Sequence, residues 1–221
     1  MANRTYGQYC GLSRAAEILG ERWGLLIVRD LLVEPKRFTD LQHGLRGIPS
    51  NVLTARLKEL ERAGVVRRRV LPRPSGAIVY ELTEYGAELE DAVMAFGRWG
   101  AKSLGDPRPD ETITEDSMVM ALRSTFAPDA AKGKRVGYEL RLGDVVIHAW
   151  VGNGRIEAGA GALPGADLII EAGPGIRSLM AGEITPDDAL GAGIVRITGD
   201  PALLTRFAQA FKIEPKPAAP G

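Results

Sequence analysis

The sequence predicts an α+β chain of two domains: a helical N-terminal domain closed by a two-stranded hairpin, and a C-terminal sheet-and-helix layer. Three observations predict it. Through the first hundred residues apolar side chains recur mostly at helical spacing, interrupted once by a short pair of β-type segments. Gly105 to Thr114 then mixes prolines, acids and threonines with no apolar period and reads as a linker. Beyond it, adjacent strand-like runs are followed by short helical ones. The expected partition is a domain over 1–104, a linker over 105–114, a second domain over 115–213 and a loose tail over 214–221. That tail, Glu-Pro-Lys-Pro-Ala-Ala-Pro-Gly, supports neither helix nor ladder.

The elements follow in order. Ser13 is placed to cap a helix through Ala16, Leu19 and Gly20, and a more apolar helix runs from Trp23 to Leu32, ahead of Pro35. Arg37 to Leu45 is a short helix with Phe38, Leu41 and Leu45 in period. Gly47-Ile48-Pro49 breaks the chain, and Ser50 is expected as N-cap of a helix ending at Gly64. Strands Val66–Leu71 and Ala77–Leu82 are joined by Pro72-Arg-Pro-Ser-Gly76. Thr83 to Leu104 reads as one long helix, acids early and bases late. Helix, short helix, turn, capped helix and hairpin make a winged helix-turn-helix arrangement.

Charge sharpens that reading. Of 221 residues, 45% are hydrophobic and 25% charged, and the formal net charge is zero. Residues 1–105 carry 16 Lys/Arg against 12 Asp/Glu, and 106–221 carry 12 against 16. Lys36 to Arg73 alone holds ten bases and three acids, which points to a polyanionic partner or, alternatively, a solvated surface. On the helix from Ser50, the leucines Leu53, Leu57 and Leu60 share one arc. Asn51, Lys58 and Arg62 lie opposite with Thr54 beside them. Asn51 and Thr54 would meet base edges, Lys58 and Arg62 would reach phosphates, and Ser50 is expected in the same DNA-binding face. In the hairpin, Arg67, Arg68, Arg69 and Arg73 suit a wing on the phosphate backbone, although charge also blunts an edge strand. Together the two features favour double-stranded DNA as partner.

Residues 10–99 resemble the HxlR-type winged-helix regulators. The resemblance rests on Cys10, Gly20-Glu-Arg-Trp23, Leu25-Leu26-Ile27, Arg37-Phe38-Thr-Asp-Leu41 and Gly47-Ile48-Pro49. It continues through Leu53-Thr54-Ala-Arg56-Leu57-Lys-Glu-Leu60-Glu61, Gly64-Val65 and Tyr80-Glu-Leu82-Thr83-Glu-Tyr-Gly86. It implies cytoplasmic homodimers on palindromic operators, joined through the N-terminal segment and the helix after the wing. Leu89, Val93, Phe96 and Gly100, flanked by Ala92, Trp99 and Ser103, form a stripe wide enough for such a contact, or for packing inside one domain. The resemblance also implies a possible redox-sensing role for Cys10. Arg4 and Arg14 are the nearest bases that would lower its pKa, and a structural buried thiol is the alternative.

In the second domain Thr114 is expected to cap a helix through Phe126. Strands follow at Val136–Leu142, Val145–Val151, Gly154–Ala158 and Ala166–Ala172, with a hairpin turn at Gly143-Asp144. Short helices open at Pro174 and Pro186, then come a strand Ile194–Thr198 and a helix from Asp200-Pro201 to Phe211. This half resembles the sterol carrier protein type two (SCP-like) domain. The residues that carry it are Ala166-Asp167-Leu-Ile-Ile-Glu171, Leu179-Met-Ala-Gly182, Ile184-Thr-Pro186-Asp-Asp-Ala189-Leu and Gly193-Ile-Val-Arg-Ile197-Thr-Gly199-Asp200. The resemblance implies a cavity for a lipid-like or aromatic molecule, with Phe126, Trp150, Met180, Leu203 and Phe207 as lining, or as ordinary core. His148 would mark a polar group there or serve a structural hydrogen bond.

The remaining expectations are absences. Two histidines, His43 and His148, and one cysteine supply no typical metal site. No nucleophile–base pair or phosphate-cradling glycine loop suggests an enzyme or a cofactor. No apolar run reaches the roughly 20 residues of a membrane span, and the first residues lack a signal peptide's apolar core. The expected function is a dimeric DNA-binding transcription regulator responding to an apolar effector. The alternatives are a lipid carrier with a vestigial winged-helix domain, or a regulator whose second domain only oligomerises.

Overall fold

The computed structural model describes residues 5–105 and 107–217. Arg4, Asp106 of the expected linker and 218–221 of the expected tail lie outside the described residues. The chain divides into two compact units, Met1–Val93 and Met94–Gly221.

The first unit holds α1 (Gly11–Leu19), α2 (Gly24–Val33), α3 (Phe38–Gly44), α4 (Ser50–Arg62), β1 (Val66–Val70), β2 (Ile78–Leu82), α5 (Glu84–Ala87) and the start of α6 (Glu90–Ala101). Its core joins Ile27, Val28 and Leu31 of α2, Leu41 and Leu45 around α3, and Leu53, Leu57 and Leu60 of α4, with Val65 and Val66 leading into the wing. Each fully buried Leu or Ile contributes about 1.5–3 kcal/mol of transfer free energy, so these residues fix α4 against the domain.

The α1–α2 corner is tight. A Cβ at Gly20 would sit 2.4 Å from the Ala16 carbonyl oxygen, and one at Gly24 2.7 Å from that of Leu19. Between them Trp23 adopts φ 83°, a left-handed conformation costing a non-glycine residue about 1–2 kcal/mol. The Arg22 guanidinium lies 5.1 Å from the centre of the Trp23 ring.

Several elements depart from the sequence expectation. Cys10, not Ser13, is the N-cap of α1. Ser13 lies inside the helix, where its hydroxyl donates to Gln8 Oε1 at 3.1 Å. Pro49 is the N-cap of α4, so Ser50 is the first helical residue and caps nothing. The long helix expected over Thr83–Leu104 is two, α5 and α6. Thr83 does cap, its Oγ1 accepting from Gly86 N at 3.0 Å. Lys36 adds an unexpected single-residue antiparallel bridge beside the wing, exchanging both backbone hydrogen bonds with Tyr80 at 3.0 and 2.7 Å.

The second unit holds α7 (Glu115–Thr125), a 3₁₀ turn at Pro128–Ala131 that the sequence reading missed, β3 (Val136–Leu142), β4 (Val145–Gly152), β5 (Arg155–Ala160), β6 (Leu168–Ala172), α8 (Ile176–Met180), α9 (Pro186–Gly191), β7 (Val195–Gly199) and α10 (Ala202–Ala210). The sheet order is β5-β4-β3-β6-β7. Only β3 and β6 run parallel; the other pairs are antiparallel. On β4, Ile147, Ala149 and Val151 are buried and alternate with half-buried Val146, His148 and Trp150. Tyr138 of β3 pairs with Ala149 and so shares the buried face. Its ring meets Phe207 of α10 edge-on at 5.5 Å, which places α10 on that face.

Candidate nucleic-acid interface

Helix α4 turns one face inward and one outward. Leu53, Leu57 and Leu60 are buried, while Ser50, Asn51, Thr54, Lys58 and Arg62 are exposed. Among the described residues, Asn51, Lys58 and Arg62 have no side-chain partner. Thr54 is different. Its hydroxyl donates to Ser50 O at 2.8 Å, leaving the hydroxyl oxygen able to accept. Two carboxylates, one on α4 and one ahead of α2, engage Arg56 of the helix. Arg56 pairs with Glu59 at 2.5 Å and reaches Glu21 at 3.5 Å.

The wing differs from the expected row of free arginines. Register places Arg67 opposite Glu81, with Arg69 two residues on and on the same face. Arg67 Nε donates to Glu81 Oε1 at 2.8 Å and Arg69 Nε to Oε2 at 2.6 Å. Hydrogen bonding from Arg69 leads the effects that hold the Glu81 carboxyl below its ordinary pKa. Burial opposes it, and Arg67 adds to it. Arg68 points to the other face and pairs with Glu61 of α4 at 2.8 Å. Arg73, in the turn, is exposed and has no ion pair among the described residues. The turn is also tied to α3, where Arg37 Nη2 donates to Ser75 Oγ at 3.4 Å. Neither Glu81 nor Arg37 was singled out from the sequence, although counting back from the Pro72–Gly76 turn pairs Glu81 with Arg67.

Comparison with known proteins finds relatives for the first half of the chain. The HxlR-like helix-turn-helix family matches residues 18–107. The HTH-type transcriptional regulator YodB of Bacillus subtilis is 33% identical over 105 residues, 48% of this chain and 91% of that protein. The chain belongs to the HxlR-like helix-turn-helix family. A second similar protein of that bacterium, the HTH-type transcriptional regulator YvaP, is 38% identical over 94 residues, 42% of this chain and 86% of the other. The solved structure of the reduced form of YodB from Bacillus subtilis, 32% identical, covers 46% of this chain and all of that one with a TM-score of 0.39. In this HxlR-like chain, no helix among the described residues is long and apolar enough to cross a membrane.

Cys10 is exposed at the head of α1. Its sulfur closes no cap hydrogen bond, yet the Ser13 amide, then the Leu12 amide, stabilise the thiolate and lower its pKa. The expected source was arginine. Arg4 lies outside the described residues, and Arg14 is engaged with Glu17 at 2.6 Å.

The six residues expected around a C-terminal cavity do not converge. Phe207 is fully buried, 4.7 Å from the Phe211 ring, which in turn lies 6.0 Å from Phe126. Met180 is buried on α8 and Leu203 half-buried on α10. His148 and Trp150 belong to the opposite face of the sheet, because alternation on β4 turns them away from Ala149 and Tyr138. There His148 Nδ1 lies 3.0 Å from Gly161 O, the Arg135 guanidinium sits 4.8 Å from the centre of the Trp150 ring, and Leu163 N donates to buried Glu139 at 2.7 Å. A separate open pocket of about 400 Å³ lies at the carboxyl ends of parallel β3 and β6. Its charged lining, Arg141, Glu171 and Arg196, is not that of an apolar cavity.

Proposed function

We propose that this chain is a cytoplasmic, DNA-binding transcription regulator that acts as a homodimer on a palindromic operator. The observation that carries the proposal is α4. Its leucine face is locked into the core while Asn51, Lys58 and Arg62 stand exposed on the other side, with no side-chain partner among the described residues. A major groove admits one helix. Asn51 and Thr54 on the first turns suit base edges, and Lys58 and Arg62 suit phosphates. Membership of a family whose relatives include transcription regulators supports the same reading.

Large exposed apolar side chains support the homodimer. Tyr6, Tyr9 and Leu12 lie in and beside the N-terminal segment, and Phe96 and Trp99 on α6 are 60% and 72% exposed. The second domain is proposed as the effector module. The SCP-like likeness supports a small-molecule ligand there, and the separation of Trp150 and His148 from Phe207 weighs against one apolar cavity lined by all six residues. Cys10, exposed with a stabilised thiolate, is proposed as a reactive thiol.

Fluorescence anisotropy with alanine variants tests the DNA reading. Lys58→Ala and Arg62→Ala should weaken binding to every duplex alike and flatten its salt dependence. Asn51→Ala and Thr54→Ala should blunt sequence discrimination by about 1–3 kcal/mol for a good base-edge contact. Unchanged affinity and discrimination in all four would refute the assignment of α4.

A further inference from the structure

The basic strand of the wing is presented with most of its charge already answered. Arg67, Arg68 and Arg69 face two carboxylates, Glu81 and Glu61, at 2.6–2.8 Å. Glu81 alone holds two of the three, one guanidinium on each carboxylate oxygen. Its side chain is only 12% exposed, while those of Arg67 and Arg69 are 66% and 43% exposed. The carboxylate thus sits at the base of the strand, and the guanidiniums it restrains remain at the surface. A phosphate approaching them meets a compensated cluster whose anion has nowhere to turn.

We infer that Glu81 is a charge brake on the wing: by clasping Arg67 and Arg69 it lowers affinity for DNA of any sequence and leaves discrimination to α4. The inference rests on the DNA-binding reading above. Sequence-independent affinity comes from arginines and lysines that neutralise phosphates and release counterions, and each such contact adds about 0.9 to the slope of log affinity against log salt. An arginine neutralised within the protein releases fewer. Specificity is a difference between right and wrong sites, so a contact shared by all sites cancels from the ratio: weakening it lowers affinity for every duplex alike and leaves discrimination to the base contacts of α4. A hairpin pair that served stability alone would leave DNA affinity and its salt slope untouched when neutralised.

The test uses the full chain and a fluorescent duplex of scrambled sequence, titrated at several KCl concentrations. Glu81→Gln should bind this duplex about tenfold tighter at low salt, with a slope steeper by about 1 to 2. The triple variant Arg67→Gln/Arg69→Gln/Glu81→Gln guards against misfolding of the single one. Because it removes two arginines with one carboxylate, a net loss of one positive charge, it should bind more weakly than wild type by up to about tenfold with a slope shallower by about 1, the opposite direction to Glu81→Gln. Equal or weaker binding by Glu81→Gln, with an unchanged slope and a wild type that binds DNA, overturns the brake alone. A wild type that binds no duplex at any salt overturns the DNA-binding reading and the brake with it.

Discussion

A methyl group at Gly86 should cost the N-terminal domain much of its stability, although alanine is the better helix former. Gly86 is buried on α5, and its Cβ would lie 2.1 Å from the Val65 carbonyl oxygen and 3.0 Å from the carbonyl carbon. Carbon and oxygen ordinarily meet at about 3.3 Å or more, so the gap must open by roughly an ångström. The surroundings resist. Thr83 N donates to Val65 O at 3.0 Å, and Thr83 Oγ1 donates to Gly64 O at 2.6 Å while accepting from Gly86 N. The helix-propensity gain is at most about 1 kcal/mol, and in a four-residue helix it is smaller. Overpacking costs about 1–3 kcal/mol and loss of the Thr83–Val65 bond about 1 kcal/mol. The clash wins by about 2 kcal/mol, which in a domain near 90 residues lowers Tm by about 10 °C. Calorimetry on the full chain reads it. Gly191→Ala, at the end of α9 with nothing within 4 Å, is the control and should leave its domain's melting unchanged or slightly raised. A Gly86→Ala protein melting at or above the wild-type temperature would refute the close-approach argument.

Two further outcomes are expected. Phe96→Glu should convert a dimer to a monomer in light scattering at micromolar concentration, because a charge would enter an apolar contact without a partner; a wild type that is already monomeric contradicts the homodimer. The thiolate of Cys10 is stabilised by the head of α1, so its alkylation by iodoacetamide should reach half its limiting rate at a lower pH in the folded chain than in urea, where a free thiol titrates near about 8.5. Coincident profiles would return Cys10 to an ordinary surface thiol.

Local pattern made much of this fold legible, and the departures have physical causes. The period of Leu53, Leu57 and Leu60 carried α4 and its polar face directly, since burial of one arc is what holds that helix. Caps were misplaced at Ser13 and Ser50 because propensity favours serine, while the backbone leaves helical geometry at Cys10 and Pro49. The break between α5 and α6 has no local signature. The close approach of Val65 O to Gly86 of α5, between residues 21 apart in sequence, is likewise invisible to local pattern. The Arg67–Glu81–Arg69 clasp depends on hairpin register, and three consecutive arginines read alone suggest free charge. In the second domain, alternation on β4 already separated His148 and Trp150 from Ile147 and Ala149. Which face carried the helices needed the Tyr138–Phe207 contact.

On the proposed reading α4, presented twice by a homodimer, reads an operator in two adjacent turns of the major groove. DNase or hydroxyl-radical footprinting of the wild-type chain on genomic fragments it enriches tests this most directly. Two related half-sites, inverted with respect to each other and centred about 10–10.5 base pairs or a multiple apart, are the predicted result, with both half-sites lost together in Asn51→Ala/Thr54→Ala. Protection without a preferred sequence, or a footprint unchanged by that double substitution, would contradict it.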